Sequence, residues 1–465
     1  MGKFKKYSRY KNLNNNYLPK IPEHWLFDKY KTVFIQRKQK NHDKNALLLS
    51  LFTHIGVRPR SQMEEKGNKA VTVIGYSIVK KEDLIVNKLL AWMGAIAKSN
   101  YNGVTSPDYD VYELINKDFN SNYFHYLCRS KYFIGECYRY GRGIMMMRHR
   151  TYPQQLKNIY IPIPPIEEQN KIVGFIEYKE KQINKLIKKQ KKLIELLEEK
   201  KKIIITEAVT KGMDKSVSMK DSGIDYIGQI PQNWEVIKLK FISLCNKYSL
   251  DEQNDKNRQI NYVDIGSVTN KDGITNVQKM LFKEAPSRAR RIIHTNDTII
   301  STVRTYLKAI AYIDEKYDNH ICSTGFAVIT PKNNIDPKFL FYILHSENFI
   351  CKVERISTGA NYPAITANKL INLKCLMPSL QEQKNIIKYI ENIEVTINKL
   401  IENKNNLINK LEEYKKSLIS FAVTGQIDVR DYEIPKTDDD VDLEEIENIS
   451  EDDTETISEV EYANN

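Results

Sequence analysis

Two stretches of the chain place apolar residues at alternating spacings of four and three. The first series runs Ile172, Ile176, Lys179, Ile183, Leu186, Gln190, Leu193, Leu197, Lys200, Ile204. The second runs Ile386, Ile390, Ile393, Ile397, Leu400, Lys404, Leu407, Leu411, Tyr414, Leu418. A stripe recurring every ~3.5 residues keeps one helix face turned toward a partner helix, so both stretches predict coiled-coil helices. Pro165 suits a first helical turn, Ser379-x-x-Glu382 forms a capping box, and Gly212 and Gly425 follow the predicted ends. A seam of about thirty residues makes a rod on the order of 50 Å long. The two stripes share length and register, which predicts that the helices pair with each other rather than each on its own domain. Two copies of one unit pair about a pseudo-two-fold axis, so the expected coiled coil is antiparallel.

Between these helices the pattern changes to short β-type runs mixed with helical pieces. In residues 17–163, "KAVTVIGYSIV", "LLAWMGAIA" and "NIYIPIP" read as strands and "SNYFHYLCRSKYF" as a helix. In residues 226–377, "INYVDIGSV", "DTIISTV", "AIAYID" and "GFAVITP" read as strands, followed by helical "PKFLFYILHSENFICKV". The fold class is therefore α/β, with two globular domains and two long helices.

The organisation is a duplication. The pentapeptide INKLI occurs at 183–187 and again at 397–401, and residues 164–210 align without a gap to 378–424 at an offset of 214. Glu168 and Gln169 match Glu382 and Gln383, and "IPEHW" at 21–25 matches "IPQNW" at 230–234 at an offset of 209. The regions between these landmarks differ greatly in sequence. The expected boundaries are a first domain 1–163, a helix 164–213, a second domain 214–377, a helix 378–427 and an acidic disordered tail 428–465.

Charge sharpens the picture. Residues 1–427 hold 69 basic against 43 acidic side chains, whereas 428–465 hold two against 16. So basic a body favours a polyanion, and nucleic acid is the first candidate. No apolar run approaches the roughly 20 residues that span a bilayer, and no apolar segment follows the basic start, so a cytoplasmic protein without a membrane role is expected. Six cysteines without metal spacing read as reduced structural thiols.

Candidate contact residues cluster in what read as polar loops of both halves. The first half offers Arg58, Arg60 and Gln62 in "GVRPRSQ", and Arg139, Arg142, Arg148 and Arg150 in "YRYGRGIMMMRHR". The second offers Arg288, Arg290 and Arg291 in "SRARR", Arg304 and Lys308 in "RTYLK", and Arg355 and Asn361 in "RISTGANY". Arginine reads guanine edges bidentately, Asn and Gln read adenine, and all of them also grip phosphates.

Catalytic patterns do not stand up. There is no GxxxxGK[ST] loop for ATP and no HExxH. "SPDY" at 106–109 approximates the tetrapeptide with which amino-methyltransferases hold a base, but it lacks the second proline and a glycine-rich methyl-donor loop. The second half has "STGF" in its place. Pro107-Asp108 could open a nuclease pattern, but its Glu-x-Lys partner, Glu177–Lys179, lies on the long helix. A self-contained methyltransferase or nuclease with an unrecognised site is the alternative reading.

"KDSGIDYIGQIPQNWEV" at 220–236, "STGANYPAITANKL" at 357–370, "MPSLQEQKNIIKYIE" at 377–391 and "IPIPPIEEQNKIVGFIE" at 161–177 together resemble the specificity (S) subunit of type I restriction-modification systems. The first half departs from the pattern at "YKNLNNNYLPKIPEHW" and "YGRGIMMMRHRTYPQQL". The resemblance implies two target-recognition domains reading the halves of a bipartite, asymmetric site on double-stranded DNA, with the helices as a ruler between them. It implies two methyltransferase (M) subunits carrying S-adenosylmethionine and two restriction (R) subunits using ATP and Mg2+. No cofactor, metal or catalytic residue is expected on this chain.

Overall fold

The two IPxxW motifs are where the structure is tied together. In the computed structural model, which describes residues 4–53, 55–62, 72–143, 149–251, 255–359 and 361–435, Trp25 and Trp234 are both fully buried. Each indole donates to the glutamate that opens a long helix: Trp25 Nε1 to Glu168 Oε1 at 3.0 Å, and Trp234 Nε1 to Glu382 Oε1 at 2.8 Å. The long helices run Ile166–Lys211 and Leu380–Val423. Gly212 and Gly425 follow them with φ of +73° and +71°, the left-handed conformation that ends a helix. A Cβ at Gly425 would meet Pro22 and Trp25, and one at Gly212 would meet Trp234, so glycine is required by space as well as by backbone angle.

Two compact units result, and each long helix contributes to both. The first unit is Met1–Gln190 with Asn405–Asn465, and the second is Lys191–Lys404. Inside the first unit Lys415 Nζ, from the end of the second helix, donates to Asn184 Oδ1 on the first at 2.9 Å. Inside the second unit Lys201 Nζ donates to Asn398 Oδ1 at 3.2 Å. Both asparagines belong to INKLI and the two lysines sit 214 apart, so within each unit the end of one helix lies against the start of the other and the two run antiparallel.

The seam follows the four-three series along the second helix, where Ile386, Ile390, Ile397, Leu400, Leu407 and Leu411 are all buried. In the first helix Ile172, Ile176 and Ile183 are buried, but Leu186 and Leu197 are only half-buried and Leu193 is 44 % exposed. Beyond Ile183 the covered positions move to Ile187, Ile205 and Ala208. Their spacing is that of a straight helix, which drifts by ~20° per heptad from a 3.5-residue stripe. Gln190 and Lys200 occupy seam positions there, so too little apolar surface holds the heptad register.

Each unit carries one four-stranded antiparallel sheet of the same order. In the first it is Phe34–Gln36, Tyr109–Leu114, Leu84–Asn87, Ile96–Lys98; in the second it is Ser243–Cys245, Phe326–Pro331, Thr298–Ser301, Ile310–Tyr312. The second unit adds a mixed four-stranded sheet in which Gln259–Val263 and His320–Ser323 run parallel. The single helices expected after the strands are each two helices. Ser121–Cys128 and Lys131–Tyr140 break at Ser130, and Pro337–His345 and Glu347–Ile356 break at Ser346. Both serines cap the following helix through their side chains, onto the N–H of Phe133 and of Phe349.

A duplicated glutamine fastens these helices to the rods. Gln169 donates to Pro164 O at 2.9 Å and accepts from the backbone N–H of Asn120 at 3.0 Å. Gln383 repeats this with Pro378 O at 2.9 Å and the N–H of Asp336 at 2.8 Å. Asn120 and Asp336 are the N-caps of their helices. Tyr126 and Tyr342, each six residues on, donate to Glu180 and Glu394 of the long helices at 2.9 and 2.8 Å.

Two sequence expectations need correcting in detail. The Ser379 hydroxyl does accept from the Glu382 N–H at 3.3 Å, but the Glu382 carboxylate turns to Trp234, so only half of the capping box forms. The segment 428–434 was read as the start of the acidic tail, yet Asp428 and Val429 are buried, and Asp428 N–H donates to Lys5 O at 2.8 Å. Tyr432 packs against Phe175. The rest of the tail lies outside the described residues. All six cysteines are free thiols.

Candidate nucleic-acid interface

The connection between the last two strands of each four-stranded sheet is the same device in both units. Asp83 and Asp297, 214 apart, accept from the N–H of Lys80 and of His294, each at 2.8 Å. Before them Glu82 and Asn296 hold left-handed backbone at φ +76° and +75°. The strands Leu84–Asn87 and Thr298–Ser301 then lead into 3-10 turns, Ala91–Met93 and Thr305–Leu307. Gly94 and Lys308 follow in left-handed conformation, and the chain returns along Ile96–Lys98 and Ile310–Tyr312. "LLAWMGAIA", expected as one strand, is thus a turn and a strand.

A second loop is tied to each hairpin by a backbone bond common to both units. Thr151 N–H donates to Lys88 O at 3.0 Å, and Ile365 N–H to Thr302 O at 2.9 Å, again 214 apart. These loops carry candidate residues. Arg142 and Arg150 exchange two backbone hydrogen bonds of 2.9 Å that close a loop, and Arg139 lies at its edge against Glu136 at 3.3 Å. Arg148 lies outside the described residues. Tyr138, on the helix that precedes this loop, stacks on His149, and Trp92 of the hairpin meets both rings. In the second unit the matching loop, closed by Thr358 and Ala364, holds exposed Asn361 and Tyr362 and follows exposed Arg355. The Arg304 guanidinium lies 5.0 Å from the Tyr362 ring centroid, and Thr305 Oγ1 donates to Ser357 Oγ at 2.9 Å.

Not every candidate joins these clusters. Arg58 lies on the strand Gly56–Pro59 and donates to Val57 O at 3.1 Å, with Arg60 and Gln62 on the turn that follows. Arg60 acts electrostatically on Tyr109 of "SPDY" and lowers its hydroxyl pKa, although burial leaves that pKa raised overall. Lys308 pairs with Glu347 at 2.7 Å, which raises its pKa and anchors it to the protein. "SRARR", expected as a loop, is mainly the strand Ala289–Ile293. There Arg288 holds Asp264 at 3.0 Å and Arg290 covers the Phe282 ring. Arg291 is half-buried, with its Nε enclosed and unbonded among the described residues.

Sequence reasoning missed the apolar members of the interface. Met93, Tyr306 and Leu307 are about half exposed, and Tyr362 is 64 % exposed. The signal was present: "WMGAIA" at 92–97 and "YLKAIA" at 306–311 align at the offset of 214.

The model of the type I restriction modification DNA specificity domain matches residues 28–196 and again 231–411. The chain is 28 % identical over 334 residues to the MjaVIII specificity subunit of Methanocaldococcus jannaschii, covering 68 % of this chain and 75 % of that one. It is 30 % identical over 246 residues to the putative MjaX specificity subunit of the same organism, covering 52 % and 53 %. Among solved structures, the HsdS subunit from Thermoanaerobacter tengcongensis superposes with a TM-score of 0.50 at 15 % identity, over 88 % of this chain and 98 % of that one. A chain from a study of assembly and conformational transition of the type I R-M system superposes at 0.59 and 15 % identity, over 88 % and 99 %. Two matched domains, each with its own sheet and long helix, place this chain in the type I restriction-modification DNA specificity family.

Proposed function

We propose that this chain is the DNA-reading subunit of a type I restriction-modification complex, with one target-recognition domain per unit reading one half of a bipartite site. The observation that carries the reading is the pair of like frames with unlike loops. The same strand order recurs, with the hairpin, turn and tie at an offset of 214, while Arg142 and Arg150 stand where the second unit has Thr358 and Ala364. Two readers with different side chains read different half-sites, so the site is asymmetric. In the first unit Arg139, Arg142 and Arg150 beside Trp92, and in the second Arg304, Arg355 and Asn361 beside Tyr362, are the groups that meet bases and phosphates. The long helices act as the ruler that fixes the unread spacer.

Catalysis belongs to the partner subunits. Two M subunits supply S-adenosylmethionine and adenine methylation, and two R subunits supply ATP- and Mg2+-dependent translocation and cleavage in the cytoplasm. Among the described residues no helix is long and apolar enough to cross a membrane.

Methyl transfer from labelled S-adenosylmethionine to mixed-sequence DNA checks this. This chain, its M partner and the two together are compared, and modified sites are sequenced. Transfer by the pair alone, at adenines in a gapped two-part motif, is expected. Transfer by this chain alone would establish the rival reading of a self-contained methyltransferase.

A further inference from the structure

The hairpin tips carry an apolar pair that arginine chemistry does not explain. In the first unit Trp92 and Met93 cap the turn, and in the second Tyr306 and Leu307 do, at the same offset of 214. Met93 is 51 % exposed and Leu307 49 %. Exposing large apolar side chains on a tight turn gains nothing for the isolated fold, yet both turns are built stiffly. A left-handed residue follows each, Gly94 at φ +84° and Lys308 at φ +52°, and then a buried alanine, Ala95 or Ala309. Arg304 adopts a second left-handed conformation at φ +51°, uncommon for a side chain of this size and a mark of functional strain.

Three features point to what the tips touch. Each tip is tied by a backbone bond to the loop that holds its unit's candidate contact residues. Each is flanked by cationic groups: Arg142 and Arg150 across the tied loop, or Arg304 stacked on exposed Tyr362. The aromatic–aliphatic pair is also kept in both units, whereas the arginines on the tied loops are not. A contact common to two readers of different sequences must be one that does not depend on the base read. An apolar side chain pressed into a base step, with arginine or lysine holding the flanking phosphates, is such a contact.

Resting on the DNA-reading role above, we propose that Trp92–Met93 and Tyr306–Leu307 are paired apolar wedges. Each enters a groove at its half-site and partly unstacks one base step, which deforms the duplex toward the arginine loops. Specificity then arises in part from how readily the wedged step opens.

The test uses the full chain. Duplexes bound from a mixed-sequence pool are sequenced, and one selected duplex carries a donor and an acceptor dye at its ends. Wild-type protein is expected to shorten the dye separation. The double variant Met93→Ala with Leu307→Ala is expected to bind roughly tenfold more weakly and leave the duplex as straight as free DNA, with an unchanged salt slope. Met93→Leu with Leu307→Met is expected to restore the bend, which separates lost wedging from lost folding. A bend fully retained by the alanine variant, or a straight duplex with wild type, overturns the wedge. An intact bend with lost capture of the M partner also overturns it and assigns the tips to protein contact. Failure of the pool to yield any selected sequence is a different result and sinks the DNA-reading role itself.

Discussion

Replacing Gln383 by leucine removes a side chain that serves two backbone groups at once. The Pro378 carbonyl loses a buried donor at 2.9 Å, and the Asp336 N–H loses an acceptor at 2.8 Å. Leucine has nearly the same volume, so no cavity term enters, and the loss is that of two stranded polar groups. At about 1–3 kcal/mol for each, and less for the partly buried N–H, the sum is about 2–4 kcal/mol. Gln169→Leu carries the same cost in the first unit, through Pro164 O and the Asn120 N–H.

The loss should be local, because each glutamine clamps the N-cap of one helix to one rod. A 465-residue chain with two units does not melt as one transition, so a single midpoint would blur the effect. Amide hydrogen exchange followed by peptide resolves it. With Gln383→Leu, peptides covering Pro337–His345 should exchange about thirtyfold faster or more, while those covering Ser121–Cys128 stay near wild type. Gln169→Leu should give the reverse. Unchanged protection of Pro337–His345 would refute the clamp, and loosening of the opposite unit's helix would refute its locality.

Other consequences are as direct. Burial, with smaller contributions from Arg129 and Lys98, pushes the His125 pKa down to about 3, so the folded state holds it neutral while the unfolded chain takes up a proton below about 6.5. Stability is therefore full above that pH and lost as pH falls toward 3, by about 2 kcal/mol at pH 5; a urea titration of the first unit at pH 7.5 and 5 measures it, and His125→Gln should flatten the difference. Gly94→Ala meets a left-handed φ of +84° and Ile134 Cδ1 at 3.0 Å, and should cost about 1–3 kcal/mol in the same titration. Leu193→Gln should change stability by no more than about 0.5 kcal/mol, since Leu193 lies off the seam, whereas Ile183→Gln should be severe. Arg304→Ala should weaken DNA binding and, if the guanidinium meets a phosphate, reduce the slope of log K against log salt by about one in an anisotropy titration.

The second long helix was readable nearly residue by residue, because isoleucine or leucine fills almost every seam position and leaves one solution. The first was readable only to Ile183, beyond which Gln190 and Lys200 break the stripe and a straight helix wins over the heptad. The landmarks IPxxW and the Glu-Gln pair were visible as a repeat, but their purpose was not, since an indole reaching a carboxylate 143 or 148 residues away is a tertiary fact. The Ser130 and Ser346 breaks were legible in principle, because serine at an N-cap is a local signal, yet apolar spacing across them looked continuous. Among the candidate contacts, residue type alone could not separate Arg304, lying over exposed Tyr362, from Arg291, half-buried with its Nε enclosed. The exposed tips carry no charge to mark them, and the only identical residues there are the AIA that follows the tip in each half.

On the proposed function, the closure of the two candidate loops explains how two readers can differ so much on one frame. Arg142 and Arg150 close their loop by two reciprocal backbone bonds, each 2.9 Å, and Thr358 and Ala364 close theirs at 2.9 and 3.0 Å. Neither closure uses a side chain, so the closing residues can be arginine in one unit and threonine or alanine in the other. The enclosed lengths differ too, since 143–149 spans two residues more than 359–363. By contrast, the groups that hold each domain to its helix are side chains, namely Trp25, Glu168 and Gln169, or Trp234, Glu382 and Gln383. Substitution or insertion within a reading loop therefore leaves every clamp bond intact. The sequence read by one unit can change without a stability cost to its frame, while a change in any clamp residue is paid at once in folding.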